Sequence, residues 1–254
     1  QASQDARGYY TVASSRRGDS REALVVVLAT PWGTHTNQST KASWGVSIGL
    51  TLAKYFKTVQ WLSKDVFLVF IDSSLPYGAG TRAWLKEYFG GSSAVRRGVL
   101  RQAIVLDLED KAPQLLCDVE GINGMVPNQD LVNAYVIEAR RGLQVLQRDV
   151  WESVYHHFQN GGVHSNHAPF LEAQVPAFTV LGRRFSGGRQ PAPQDIAASF
   201  EGVVRACSAA LQQLHHSFNF YFYTALQRHV SSGIYLYPVF AMQLPLLSFL
   251  MTSV

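Results

Sequence analysis

The sequence predicts an α/β fold of three layers, α/β/α, with a mostly parallel or mixed central sheet, followed by the start of a transmembrane helical region. Short continuous apolar runs, ALVVVLAT at Ala23 to Thr30 and VFLVFI at Val66 to Ile71, have the unbroken hydrophobicity of strands covered on both faces. Between them lie stretches of helical spacing, the alternation expected of crossover units with helices on either side of a sheet. The end of the chain, Gly233 to Val254, contains no charged residue.

After the first strand, Trp44 to Phe56 puts Trp44, Ile48, Leu52 and Phe56 on one stripe of a helix. Val66 to Ile71 is the next strand, and Thr81 to Phe89 is a helix closed by Gly90 and Gly91. Ala103 to Leu108 (AIVLDL) and Ala177 to Leu181 (AFTVL) supply further strands, with helices at Asn128 to Arg141 and Asp149 to Phe158. Gly187, Gly188, Pro191 and Pro193 mark a loop. From Asp195 one long helix carries Ile196, Phe200, Val203, Cys207, Leu211 and Leu214 on a single stripe.

The charge-free terminal run would span about 33 Å as a helix, against a hydrocarbon core of roughly 30 Å. Phe218, Phe220, Tyr221, Phe222, Tyr223, Tyr235 and Tyr237 crowd its entrance as an interfacial aromatic belt would. Pro238 and Pro245 are tolerable in a membrane helix whose neighbours satisfy the freed carbonyls. Residues 1–213 are therefore expected to form the α/β domain, 214–232 a juxtamembrane aromatic segment, and 233–254 a transmembrane helix.

Composition excludes more than it assigns. A net charge of +4, with arginines scattered as pairs (Arg16-Arg17, Arg96-Arg97, Arg140-Arg141, Arg183-Arg184), shows no basic motif with interleaved aromatics, which argues against nucleic-acid binding. Cys117 and Cys207 both sit in apolar settings and make no disulfide framework. Asn37 begins an NQS glycosylation sequon. Gln1 opens a polar segment, as expected of a chain whose true start lies further upstream.

The most informative stretch is EGINGMVPNQDLVN, Glu120 to Asn133. It reads as a strand end and a Gly-rich turn running into a capped helix. Gly121 and Gly124 permit positive φ and Asn123 tolerates it. Pro127 ends the turn, Asn128 can cap the helix, and Asp130 lies in its first turn. Glu120, Gln129 and Asp130 decorate that shape with polar groups, which makes the loop the best candidate for contacting a partner or substrate.

The wording of this loop resembles the luminal domain of the GPI-anchor attachment protein family, a subunit of the GPI transamidase. A second resemblance begins at LHHSFNFYF, Leu214 to Phe222, and continues through Arg228 to Pro238, where that family passes from its luminal domain to the membrane. The resemblance implies an endoplasmic reticulum membrane protein whose main domain is luminal, with a transmembrane helix upstream. Its partners would be the other transamidase subunits, including a caspase-like catalytic subunit, together with the GPI lipid and the proprotein's C-terminal signal.

The family's luminal domain is in turn similar to the zinc aminopeptidases, which hold two zinc ions with His, Asp and Glu at the carboxyl ends of sheet strands. Against that pattern, Pro31, Trp32 and Gly33 stand where a His-x-Asp pair is expected, and Lys41 where a bridging Asp is expected. Asp72, Ser73, Ser74 and Leu75 replace a Glu-Glu pair. Only Asp107 and His167 match ligands, and they are read as vestigial. The expectation is a non-catalytic subunit without metal or cofactor, which scaffolds the complex and helps present GPI lipid or proprotein. Two alternatives stay open: a degenerate metalloenzyme assisting amide formation through one metal on Asp107, His167 and His35, or an independent membrane-anchored peptidase-like binding module.

Overall fold

The computed structural model describes residues 8–18, 21–30, 44–72, 78–90, 98–108, 114–122, 125–139, 143, 145–147, 155, 159, 165–183, 191–209, 221–225 and 228–252. The chain divides into two compact units, Gln1–Ala210 and Leu211–Val254.

The strands of the first unit are β1 Gly8–Ala13, β2 Glu22–Thr30, β3 Asp65–Asp72, β4 Val99–Leu108, β5 Gln114–Asp118, β6 Val145–Gln147 and β7 Ala177–Arg183. They form one seven-stranded mixed sheet in the order β1-β3-β2-β4-β7-β5-β6. The centre, β3-β2-β4-β7, is parallel. β1 runs antiparallel along one side, and β5 reverses direction against β7 before pairing parallel with β6.

Helices cover both faces. On one lie α1 Trp44–Thr58, α3 Gln129–Ala139 and α5 Pro193–Ala209; on the other lie α2 Ala79–Phe89 and the short α4 Ala168–Glu172. α1 reaches the sheet through Gly49, where an added Cβ would meet Leu28 and Phe70 within 3 Å. On the opposite pleat Phe67 packs edge-on against Trp84 and Tyr88 of α2, and Phe170 of α4 completes that cluster. Each such side chain, removed from water, contributes about 1.5–3 kcal/mol.

β1, β5 and β6 of this sheet are not among the predicted strands; β5 lies in the apolar stretch around Cys117, read only as a setting for that thiol. β1 is an outer strand with Tyr9 and Tyr10 exposed, and β6 has only three residues, so neither shows an apolar run. The long helix expected from Asp195 buries Ile196, Phe200, Val203 and Cys207 as predicted, while Leu211 and Leu214 lie outside the described residues. The helix expected at 149–158 lies almost wholly outside them, as does Asn37. Cys117 and Cys207 are free and buried.

In the second unit, β8 Tyr221–Ala225 and β9 Arg228–Ser231 form an antiparallel hairpin, so the aromatic segment is partly strand. α6 Ser232–Thr252 follows directly, 21 residues long with Pro238 and Pro245 inside it. Its described side chains, including Ile234, Leu236, Phe240, Met242 and Leu244, are exposed. Among the described residues, however, no helix is long and apolar enough to cross a membrane. The transmembrane expectation for 233–254 is therefore not confirmed among the described residues.

Candidate functional site

Open parallel sheets place their functional groups beyond the carboxyl ends of the strands. In this sheet Thr30 pairs with Asp72, and Ala29 with Asp107, so two carboxylates flank β2 at that end. Asp107 accepts from Asn166 Nδ2 at 3.4 Å. Asn166 is itself buried and spends its other groups on α2. Its Oδ1 accepts from the Gly78 N–H at 2.9 Å, and its carbonyl accepts from Thr81 Oγ1 at 3.0 Å. Gly78 sits at φ 76°, a left-handed conformation that suits glycine, with Pro169 closing on the space a Cβ would take. Asn166 thus braces β4 against the start of α2.

His167, one residue on, is fully buried. Its Nε2 lies 3.0 Å from the Glu120 carbonyl oxygen, which can only accept, so Nε2 carries the proton. Nδ1 is then the acceptor, with Ser165 Oγ at 2.9 Å and Thr179 Oγ1 at 2.8 Å as donors. Both ring nitrogens are committed within the protein, leaving no lone pair for a metal in this arrangement. Burial pulls the imidazole below its ordinary value near 6.5, opposed by the Asp118 charge and the Glu120 carbonyl. The ring is held neutral.

The distinctive loop is fastened from the same place. The Gly121 N–H donates to the Met125 carbonyl at 2.7 Å, the Met125 N–H to the Ile122 carbonyl at 3.2 Å, and Pro127 is buried. Asn128 Oδ1 accepts from the Asp130 N–H at 3.1 Å, the predicted cap of α3. Gly121 serves a different purpose from the one expected. It is not among the positive-φ residues; instead, a Cβ there would meet Leu171 Cδ1 at 2.6 Å and the Met125 carbonyl oxygen at 2.7 Å. Close approach, not backbone handedness, requires glycine. Glu120 is half-buried and Asp130 exposed. Asn123 and Gly124 lie outside the described residues, as do Gly33, His35, Lys41 and Ser74.

The structure therefore brings His167 to the loop and Asp107 to the neighbouring Asn166. Among the described residues no three His, Cys, Asp or Glu side chains are grouped to hold a metal. Asn166, Ser165 and Thr179 carry no signal in the sequence comparable to that of His167. A groove of about 600 Å³ elsewhere is lined by residues of α3 and α5, Glu138, Asp195 and Arg205 among them. It includes none of these site residues.

Sheet order, layers and carboxyl-end geometry define an aminopeptidase-like α/β domain. The Legionella pneumophila LapA aminopeptidase matches it with a TM-score of 0.51 at 10% identity, over 80% of this chain and 60% of that one. A zinc aminopeptidase from Bacillus subtilis matches with a TM-score of 0.47 at 13% identity, over 82% of this chain and 50% of the other. Such likeness speaks for fold alone. In sequence, the family described as Gaa1-like, GPI transamidase component, matches residues 6–253, and the chain belongs to it. The GPI transamidase component GAA1 of Saccharomyces cerevisiae is 28% identical over 89% of this chain, and its Schizosaccharomyces pombe counterpart 26% identical over 90%. The chain spans 39% and 43% of those relatives' lengths.

Proposed function

We propose that this chain is the peptidase-like luminal part of a GPI transamidase subunit of the endoplasmic reticulum membrane, and that it scaffolds the complex without catalysing its reaction. Residues 1–213 form the luminal domain, 214–232 the approach to the membrane, and 233–254 the membrane helix, with Asn37 glycosylated. Its partners are the caspase-like catalytic subunit and the other subunits, and it helps present GPI lipid or proprotein. The family match across residues 6–253 supports the subunit role. The observation that carries the non-catalytic reading is His167, whose two ring nitrogens are both spent on internal hydrogen bonds. The outward apolar residues of α6 support the membrane reading, since a helix apolar all round needs a non-aqueous surrounding.

The loop Glu120, Gly121, Asn123, Gly124, Pro127, Asn128 and Asp130 is the proposed contact surface, with Asp130 its exposed polar group. Purification from mild detergent should recover the other transamidase subunits with the full-length protein, with no stoichiometric zinc. Asp130→Lys should leave the melting temperature unchanged within about 2 °C while reducing that recovery, because exposed substitutions rarely alter stability by more than about 0.5 kcal/mol. Two zinc ions per chain would sink the non-catalytic reading. Unchanged recovery with Asp130→Lys would remove the loop from the interface.

A further inference from the structure

We propose that the groove along the outer side of α5 docks an amphipathic helix of another protein subunit, which brings bulky apolar side chains to the groove floor and a lysine or arginine to Asp195 and Glu138. The inference rests on the subunit reading given above and adds a contact surface distinct from the 120–133 loop. The groove, about 600 Å³, is lined from Asp195 in the first turn of α5 to Ala209 at its end. At 1.5 Å per residue that is about 21 Å of helix. Its floor is made of short side chains: Ala198, Gly202 and Ala206 recur at every fourth position. Ala198, Ala206 and Ala209 are exposed, while Ile196, Phe200, Val203 and Cys207 of the same helix are buried. A row of short side chains at i, i+4 and i+8 leaves a trough into which the ridge of a second helix packs. An elongated trough of this kind fits a helix better than a compact small molecule.

The groove's polar residues choose the partner's charge. Gly202 lets the Glu138 side chain of α3 lie across the floor, since a Cβ there would sit 2.5 Å from Glu138 Oε2. Asp195 is exposed at the amino end of α5. Toward the other end, Arg205 donates through Nε to Glu201 Oε1 at 3.0 Å, and its guanidinium carbon lies 5.1 Å from the centre of the Trp61 ring. Tyr55 of α1 donates its hydroxyl to the same Glu201 oxygen at 3.3 Å. The described lining thus carries three carboxylates and one guanidinium, a formal charge of −2 in a chain whose net charge is +4. That guanidinium is already engaged by Glu201, so the groove presents negative charge to a partner. It attracts a basic side chain and disfavours phosphate-bearing occupants such as nucleic acid or anionic head groups. Tyr, Trp and Arg are residue types that anchor protein interfaces. Here Tyr55, Trp61 and Arg205 are tied to one another's partners beforehand, which lowers the ordering cost of docking.

The test uses the full-length protein in a complex purified from mild detergent, with the photoreactive residue benzoylphenylalanine in place of Ala198, which is exposed on the floor. Irradiation should cross-link this position to one segment of another subunit. Mass spectrometry should place the cross-linked residue in a helix, with a lysine or arginine within about one turn of it. Asp195→Lys reverses the charge at one end, and Ala206→Trp fills the floor eight positions on; both residues are exposed. Each should lower the cross-link yield about three-fold or more, with the melting temperature of the purified chain unchanged within about 2 °C. Yields that neither variant changes would overturn the proposal, as would cross-links only to lipid or to a segment without basic residues. So would the absence of any cross-link in a complex whose other subunits are recovered. Each of these outcomes leaves the subunit reading standing. A parent protein that recovers no other subunit would sink that reading and this inference together.

Discussion

Replacing His167 by alanine tests whether this residue is a metal ligand or a brace. The ring is fully buried, and its loss strands the Glu120 carbonyl and the Ser165 and Thr179 hydroxyls, both of which are buried. The two hydroxyls can turn toward one another, so one carbonyl and about one hydroxyl remain unsatisfied. At roughly 1–3 kcal/mol each, with a further contribution from the cavity, the expected loss is about 3–5 kcal/mol. For a domain of this size that corresponds to a fall in melting temperature of roughly 6–20 °C. His167→Gln, whose amide can still donate to the Glu120 carbonyl, should recover part of it. Thermal and urea unfolding with and without added zinc make the measurement. A His167→Ala protein melting within about 2 °C of the parent, but losing a zinc-induced stabilisation the parent shows, would refute the brace and restore the ligand.

The same imidazole sets a pH dependence whose sign follows from burial. Its folded value lies below the ordinary 6.5, so below about pH 6.5 the unfolded chain binds more protons than the folded one. Stability is fully present above that pH and is lost as pH falls toward the lowered folded value, by at most about 1.4 kcal/mol per pH unit. His167→Gln should flatten this part of the stability curve.

Gly121→Ala should cost roughly 1–3 kcal/mol in urea unfolding, because its Cβ has the Met125 carbonyl in its way as well as the more yielding Leu171. A neutral result would mean the turn opens freely. Lys64→Met should destabilise by roughly 2–4 kcal/mol, since the buried ammonium donates to the Cys207 carbonyl at 2.7 Å at the end of α5 and sits 3.8 Å from Glu22. Hydrogen exchange at the end of α5 should then accelerate before global unfolding; unchanged exchange there would contradict the capping role.

Which parts of this molecule were legible in the sequence follows from where their causes lie. β2, β3 and β4 are covered on both faces, so their burial is written locally as unbroken apolar runs. β1 escaped because an outer strand with exposed Tyr9 has neither the run nor clean alternation. The Asn128 cap was legible because its partner is two residues away. Gly121 was recognised as necessary but for the wrong reason: the side chain closing on it, Leu171, is 50 positions further along. Local reading finds a glycine; only tertiary contact says why.

The pair Asn166 and His167 shows how one short segment can tie two separate parts of the fold together. Adjacent in sequence, the two side chains reach in different directions, one to Asp107 and the start of α2, the other to the carbonyl of Glu120. A metal ligand must offer a lone pair to the centre of a cluster; His167 instead offers a proton to a backbone carbonyl, and its remaining lone pair receives hydroxyls. That polarity fixes the first residue of the 120–133 loop to the sheet, and Gly121, packed under Leu171, fixes the second. Asp130 lies exposed at the start of α3, its N–H held by Asn128 Oδ1. The loop is thus held at its start by His167 and Gly121 and at the cap of α3 by Asn128.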